Sequence, residues 1–142
     1  MKKPSRSQNL LIKFKEYTLD NGLHVVLHKD ENSSIAVTNL LYDVGSRDED
    51  ENQTGFAHLF EHFMFEGSQH IPNYDIPLQE AGGDSNAFTN PDCTNYYNIL
   101  PAVNLETALW LESDRMLGLA FEEESLATQK SVVMEEFKEH YL

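Results

Sequence analysis

The chain has 142 residues, of which 40% are hydrophobic and 11% aromatic, a composition typical of a globular domain with a hydrophobic core. Its 24 acidic residues outnumber its 10 basic residues, which gives a formal net charge of −14 at pH 7. This charge disfavours nucleic acid as a partner, and no apolar run approaches the length needed for membrane insertion. We expect one domain over residues 1–142, with either a solvated acidic surface or a surface that attracts cationic peptides.

A single cysteine, Cys93, excludes an intramolecular disulfide and a thiolate-based zinc site. Any metal site in this chain must therefore use histidines and carboxylates. The apolar run at residues 10–12 is too short for the core of a signal peptide, which favours a cytoplasmic location.

The first half of the chain predicts three strands and a helix. Residues 16–19 and 23–28 flank the turn Asp20-Asn21-Gly22, and Asn-Gly is typical of a tight β-hairpin. Residues 35–44 are rich in β-branched and aromatic side chains and predict a third strand. Thr54 is a candidate N-cap for a helix over residues 55–66, whose apolar residues recur at helical spacing.

The second half predicts a short helix over residues 74–81, strands at 86–89 and 94–100, and helices at 104–119 and 122–140. The order is three strands, two helices, two strands and two helices. Because strands and helices do not alternate regularly, this order predicts an α+β fold, with a mainly antiparallel sheet and helices packed on one face.

The helix at residues 55–66 carries the segment His58-Leu59-Phe60-Glu61-His62. Positions i, i+3 and i+4 of a helix lie on one face, so both imidazoles and the carboxylate converge. Two histidines one turn apart can bind a zinc ion, and Glu61 can act as the general base toward a zinc-activated water. A core helix with polar residues facing solvent would show the same spacing, so the pattern needs support from its context.

That context resembles the inverzincins, in which the motif reads HxxEH, and in particular the family of pitrilysin, insulin-degrading enzyme and mitochondrial processing peptidase. The resemblance covers most of the chain, in the order found in the family. It lies in four segments: Tyr17-Thr-Leu-Asp-Asn-Gly-Leu-His-Val-Val26, Gly55-Phe-Ala-His-Leu-Phe-Glu-His-Phe-Met-Phe-Glu-Gly-Ser68, Gly82-Gly-Asp-Ser-Asn-Ala-Phe-Thr89 and Val132-Val-Met-Glu-Glu136.

The resemblance implies a third zinc ligand, a glutamate on a later helix, and the matching position is Glu136. Its neighbour Glu135 is the main competitor. A helix turns by about 100° per residue, so the two cannot both face the metal, and Glu136 shares a stripe with Gln129 and Val132. His140, one turn beyond Glu136, is a further rival.

Two further site predictions follow from the resemblance. The family usually has a second glutamate seven residues before the ligand, where this chain has Gln129, which cannot carry a negative charge. We therefore expect the surroundings of the metal to differ from the family pattern. Asn86, Ala87 and Phe88 resemble the edge strand that binds substrate by main-chain hydrogen bonds. An ordinary surface hairpin is the alternative for these three residues.

The resemblance implies a metalloendopeptidase with one Zn2+ per chain, in which Glu61 moves protons while water attacks a peptide bond. It also implies a peptide or unfolded polypeptide as substrate, and either C-terminal domains beyond this fragment or a second homologous subunit. The first alternative is a non-catalytic family member that binds peptides or serves as a structural subunit. The second is an acidic interaction domain without metal.

Overall fold

A computed structural model of the chain describes residues 12–141, with side chains through Glu139. The basic residues before position 12 and the side chain of His140 lie outside the described part. The chain forms two compact units, one ending at Ser33 and the other beginning at Ser34. The single domain expected over residues 1–142 stays a prediction.

The first unit contains a β-hairpin of strands β1 (Phe14–Thr18) and β2 (His24–His28), paired antiparallel. The turn between them contains Gly22 with φ of 89°, in the left-handed region that glycine adopts readily. The backbone N–H of Gly22 donates to the Leu19 carbonyl at 2.9 Å. The hairpin predicted from Asn-Gly is confirmed.

The second unit contains an antiparallel sheet of three strands in the order β3, β5, β4, joined by helices α1 to α4. The elements of this unit are β3 (Ile35–Tyr42), α1 (Phe56–Phe63), α2 (Asp75–Glu80), β4 (Asp84–Thr89), β5 (Thr94–Pro101), α3 (Leu105–Leu117) and α4 (Glu123–Tyr141). Two short 3-10 helices lie at Ser46–Asp48 and Ala102–Asn104. The predicted order of strands and helices is confirmed.

The hydrophobic core lies between the central strand β5 and helices α2 and α3. Leu100 of β5 packs with Leu78 of α2 and Leu111 of α3, and each is at most 1% exposed. On the other face of the sheet, Val37 and Ile99 are paired in register and remain 60% and 43% exposed. The helices thus cover one face of the sheet, as the sequence predicted.

Helix α1 differs from its prediction at both ends. Thr54 does not cap it: Gly55, with φ of 90°, is the N-cap, and no side chain of the cap residue takes part. At the other end, hydrogen bonds of the tighter i to i+3 type replace the helical pattern, since Phe65 N–H donates to the His62 carbonyl. The helix therefore ends at Phe63, and Glu66 lies outside it.

Strand β4 begins two residues earlier than the predicted segment 86–89. Asp84 and Ser85 have low strand propensity, but they pair with Ile99 and Asn98 of β5. Pairing with a central strand outweighs local propensity here. Among the described helices, none is long and apolar enough to span a membrane.

Candidate active site

Helix α1 is held at both ends by side chains from outside the helix. The carboxylate of Glu49 accepts the N–H groups of Gly55 at 2.7 Å and Ala57 at 2.8 Å. At the other end, Arg115 of α3 donates from Nη1 to the Met64 carbonyl at 3.2 Å. These contacts place charge of the favourable sign at each helix terminus and fix the segment that carries the polar motif.

Three donor atoms from two helices meet beside α1. The Nε2 atoms of His58 and His62 are 3.3 Å apart, and Oε2 of Glu136 lies 3.3 Å from the first and 3.4 Å from the second. Side-chain exposure is 39% for His58, 20% for His62 and 41% for Glu136, so the cluster is open to solvent. The three residues form a group that could hold a metal ion.

The competing residue Glu135 points elsewhere. Its Oε1 accepts a hydrogen bond from Lys138 Nζ at 2.6 Å on the exposed side of α4. Helix α4 packs against α1, and this packing turns Glu136 rather than Glu135 toward the two histidines. The structure thus brings together the three residues chosen from the sequence.

Glu61 lies on the same side of α1 and is held by a residue of β4. The hydroxyl of Thr89 donates to Oε2 of Glu61, and the same hydroxyl lies 3.5 Å from Thr94 Oγ1. Thr89 therefore orients the carboxylate that was predicted to act as base. The sequence analysis included Thr89 in the resembling segment but assigned it no role.

Gln129 contacts the motif from α4. Its Oε1 lies 3.0 Å from His62 Nδ1, and its amide nitrogen contacts the Glu66 carboxylate. The other oxygen of Glu66 accepts from the Ser125 hydroxyl at 3.3 Å. Glu66 was not predicted as a site residue, although its position four residues after His62 was a usable signal.

A polar cleft of about 520 Å3 contains these groups. Glu61, Glu66, Asp75 and Glu136 contribute carboxylates to its lining, and Asn86 of β4 also borders it. Strand β4 is at the edge of the three-stranded sheet, so within the described chain one of its sides carries no neighbouring strand. Of the three predicted substrate residues, Asn86 and Phe88 are exposed and Ala87 is half-buried.

A buried charged network connects α3 with β5 and with the residue before α2. Arg115 lies between the rings of Tyr74 and Tyr96, at 4.5 Å and 4.6 Å from their centroids, and pairs with Glu112 at 2.6 Å. Burial raises the pKa of both tyrosines, while the positive charge of Arg115 opposes that rise. Both phenols therefore keep their protons, and Tyr74 donates to Asn98 at 3.0 Å.

The segment after α1 is attached to α3 through Asp114, which is 4% exposed. Its carboxylate accepts Ser68 Oγ at 2.5 Å, the His70 N–H at 3.0 Å and His70 Nδ1 at 2.6 Å. The hydrogen bond from Ser68 is the main reason that the pKa of Asp114 is lowered, and the His70 backbone adds to it. His70 thus has a structural contact here.

The chain is similar to known peptidases over most of its length. The profile of the insulinase family, peptidase family M16, matches residues 24–141. The chain is 35% identical over 133 residues to zinc protease PqqE of Helicobacter pylori, covering 92% of this chain and 30% of that protein. It is 30% identical over 124 residues to a probable mitochondrial-processing peptidase subunit beta of Arabidopsis thaliana, covering 86% and 23%.

The fold is similar to a solved structure as well. The crystal structure of a protease from Helicobacter pylori superposes with a TM-score of 0.84 at 33% identity, covering 90% of this chain and 31% of that chain. The chain therefore spans less than a third of the length of these relatives.

Proposed function

This chain belongs to the insulinase family, peptidase family M16, and on that premise we propose that it binds one zinc ion and serves in peptide hydrolysis within the complete protein. The observation that carries the proposal is the meeting of His58, His62 and Glu136 within 4.8 Å of one another, beside Glu61. Relatives named as zinc proteases support the choice of metal.

The donor set fits zinc in chemistry and in spacing. Two imidazole nitrogens and one carboxylate oxygen are ligands typical of a catalytic zinc site, which keeps its fourth position open. Donors about 2.0–2.1 Å from a tetrahedral metal are about 3.3 Å apart. The three observed separations are 3.3, 3.3 and 3.4 Å, which matches that value.

When bound, zinc supplies Lewis-acid polarisation and favours the loss of a proton from water. Glu61 accepts the proton of the attacking water and transfers it to the leaving amine nitrogen as the carbon–nitrogen bond breaks. Thr89 holds Glu61 in place through its hydroxyl. No covalent link between enzyme and substrate is required.

The test of the base is Glu61→Gln in the complete protein. We expect zinc content to stay near one per chain, while peptide hydrolysis falls by at least about 100-fold, because the amide cannot accept the proton. Elemental mass spectrometry of chelator-free protein, with His62→Ala prepared in parallel, measures the metal. Full hydrolytic rate in Glu61→Gln would overturn the proposed base.

The third ligand has a matched control in its neighbour. Glu136→Gln should lose zinc, whereas Glu135→Gln, which changes the same charge on the exposed side of α4, should keep it. Zinc retained by Glu136→Gln would remove that residue from the ligand set. An absence of zinc from the unaltered protein would favour the alternative, a family member that binds peptides or is structural.

We also propose that a substrate peptide adds as a strand to the free edge of β4, at Asn86, Ala87 and Phe88. Its edge position and its place beside the cleft support this. The test uses a series of peptides, each N-methylated at one residue. KM should rise only when the methyl group is on every second residue, because only alternate N–H groups of an added strand face β4. Equal effects at all positions would contradict it.

The remaining parts of the proposal concern the complete protein. A relative named as a subunit of mitochondrial-processing peptidase supports a second homologous subunit or further domains as partners. The endopeptidase specificity and the cytoplasmic location expected from the sequence stay predictions.

A further inference from the structure

Gln129 is in contact with both a proposed zinc ligand and a carboxylate outside the ligand set. Its Oε1 is 3.0 Å from His62 Nδ1, and its amide nitrogen contacts Glu66 Oε1. The second oxygen of Glu66 is occupied by Ser125. Two consecutive hydrogen bonds therefore connect Glu66, in the turn after α1, through Gln129 of α4 to His62 of α1.

The direction of each hydrogen bond in this chain follows from the chemistry of Glu66. An ionised carboxylate only accepts hydrogen bonds, so the NH2 group of Gln129 must face it. The amide oxygen then faces His62 Nδ1, and because that oxygen only accepts, Nδ1 must carry the proton. The lone pair of the imidazole is consequently on Nε2, the atom that faces His58 and Glu136.

We propose that Glu66 is a positioning residue for the metal site, which selects the metal-binding tautomer of His62 through the Gln129 amide. This inference rests on the proposed zinc function. Without Glu66, the amide of Gln129 could reverse its oxygen and nitrogen, and the reversed amide would favour the tautomer that has its proton on Nε2. The carboxylate of Glu66 thus acts on His62 through the Gln129 amide that lies between them.

The first test is Glu66→Gln in the complete protein, with zinc affinity measured by competition against a chelator. We expect affinity to fall about tenfold, the lower end of the range for partners of metal-binding histidines. The matched control is Glu80→Gln, which removes the same charge from an exposed position on α2 that does not line the cleft. The control should bind zinc like the unaltered protein.

A swapped pair distinguishes positioning from general stability. Glu66→Gln combined with Gln129→Glu places the carboxylate directly against His62, so zinc affinity should return to within about threefold of the original. If the single variant does not fold, Glu66→Asp serves instead, because its shorter side chain withdraws the carboxylate from Gln129. Affinity unchanged in the folded variant, or not recovered in the swapped pair, would overturn the inference.

A second readout reports the tautomer directly. Nitrogen NMR of the metal-free protein at about pH 8, above the ordinary imidazole pKa, should show the proton of His62 on Nδ1 and a mixture in Glu66→Gln. Failure of the proposed function is distinguishable, since the unaltered protein would then bind no zinc. Zinc binding that does not respond to Glu66 would refute the inference alone.

Discussion

At the scale of single residues, the proposed site contains hydroxyl and carboxyl groups that contact Glu61 and Gln129, respectively. Glu61 receives its contact from Thr89, a residue of the neighbouring sheet rather than of its own helix. A carboxylate that takes a proton must be within hydrogen-bond reach of the water, so its orientation affects rate more than binding. We therefore expect Thr89 to affect the rate of hydrolysis.

Replacing Thr89 by valine keeps the shape of the side chain and removes the hydroxyl. We expect kcat of peptide hydrolysis to fall about tenfold, with zinc content and KM little changed, because Glu61 loses its fixed orientation. Thr89→Ser should restore most of the rate. Steady-state kinetics on the complete protein measures this, and an unchanged kcat in the valine variant would contradict it.

Asp114 joins the segment after α1 to α3 and makes stability depend on pH. Its pKa in the folded protein is lowered, chiefly by the hydrogen bond from Ser68. Because the pKa is lower in the folded state, ionised Asp114 stabilises the fold. This stabilisation is fully present above the pKa of the unfolded state, about 3.9, and is lost as the pH falls through the pKa of the folded state.

Asp114→Asn should therefore lower Tm at neutral pH, because an amide is a weaker acceptor for Ser68 and His70. The difference in Tm from the unaltered protein should narrow as the pH is reduced below about 4. Circular dichroism melting across this range measures it, with Asp20→Asn, an exposed change in the hairpin, as the control. A difference in Tm that is independent of pH would argue against this account.

At the scale of elements, the position of α1 depends on its two ends. Glu49 satisfies N–H groups at the first turn, and Arg115 satisfies a carbonyl beyond the last. The Arg115 side chain is 1% exposed and also pairs with Glu112. Removing it would leave a carboxylate without its partner in the interior, which is more costly than losing a surface ion pair.

Arg115→Met should reduce the free energy of unfolding by about 3 kcal/mol, since Glu112 would remain buried without its charge partner. Adding Glu112→Gln should recover part of this loss. Arg47→Met, which breaks exposed ion pairs with Asp43 and Asp92, should have a much smaller effect. Urea denaturation measures all three, and equal losses for the two arginine variants would contradict this account.

At the scale of the second unit, a metal ion would link helices that are far apart in the chain. His58 and His62 lie on α1, whereas Glu136 lies near the end of α4, and the two helices pack together. A ligand bound only by the folded state stabilises it by mass action. Zinc should therefore hold α4 against α1.

At a free zinc concentration about 100 times its Kd, we expect the free energy of unfolding to rise by about 2.7 kcal/mol. A chelator should remove this gain, and Glu136→Gln should show little of it at the same zinc concentration. Thermal melting followed by helix circular dichroism measures the effect. A midpoint that does not respond to zinc in protein shown to bind it would contradict the link.

The sequence alone was enough to predict the hairpin, the polar face of α1 and the fold class. Asn21-Gly22 specifies a hairpin because few residue pairs adopt the required turn, and helical spacing places His58, Glu61 and His62 on one face. The α+β class followed from the order of elements. These features depend on residues within a few positions of one another, so they can be read without knowledge of the packing.

The other features depend on contacts outside the element in which each residue lies. The carboxylate of Glu49, and not Thr54, accepts N–H groups at the start of α1. Strand β4 includes Asp84 and Ser85 because they pair with β5, and Glu66, which follows α1, contacts Gln129 of α4. No periodicity in the sequence encodes such contacts, because they arise when elements pack and bring unrelated positions together. The choice between Glu135 and Glu136 depends on both the sequence and the tertiary structure. Helical geometry allows only one of the two side chains to face α1, and the packing of α4 against α1 determines that it is Glu136.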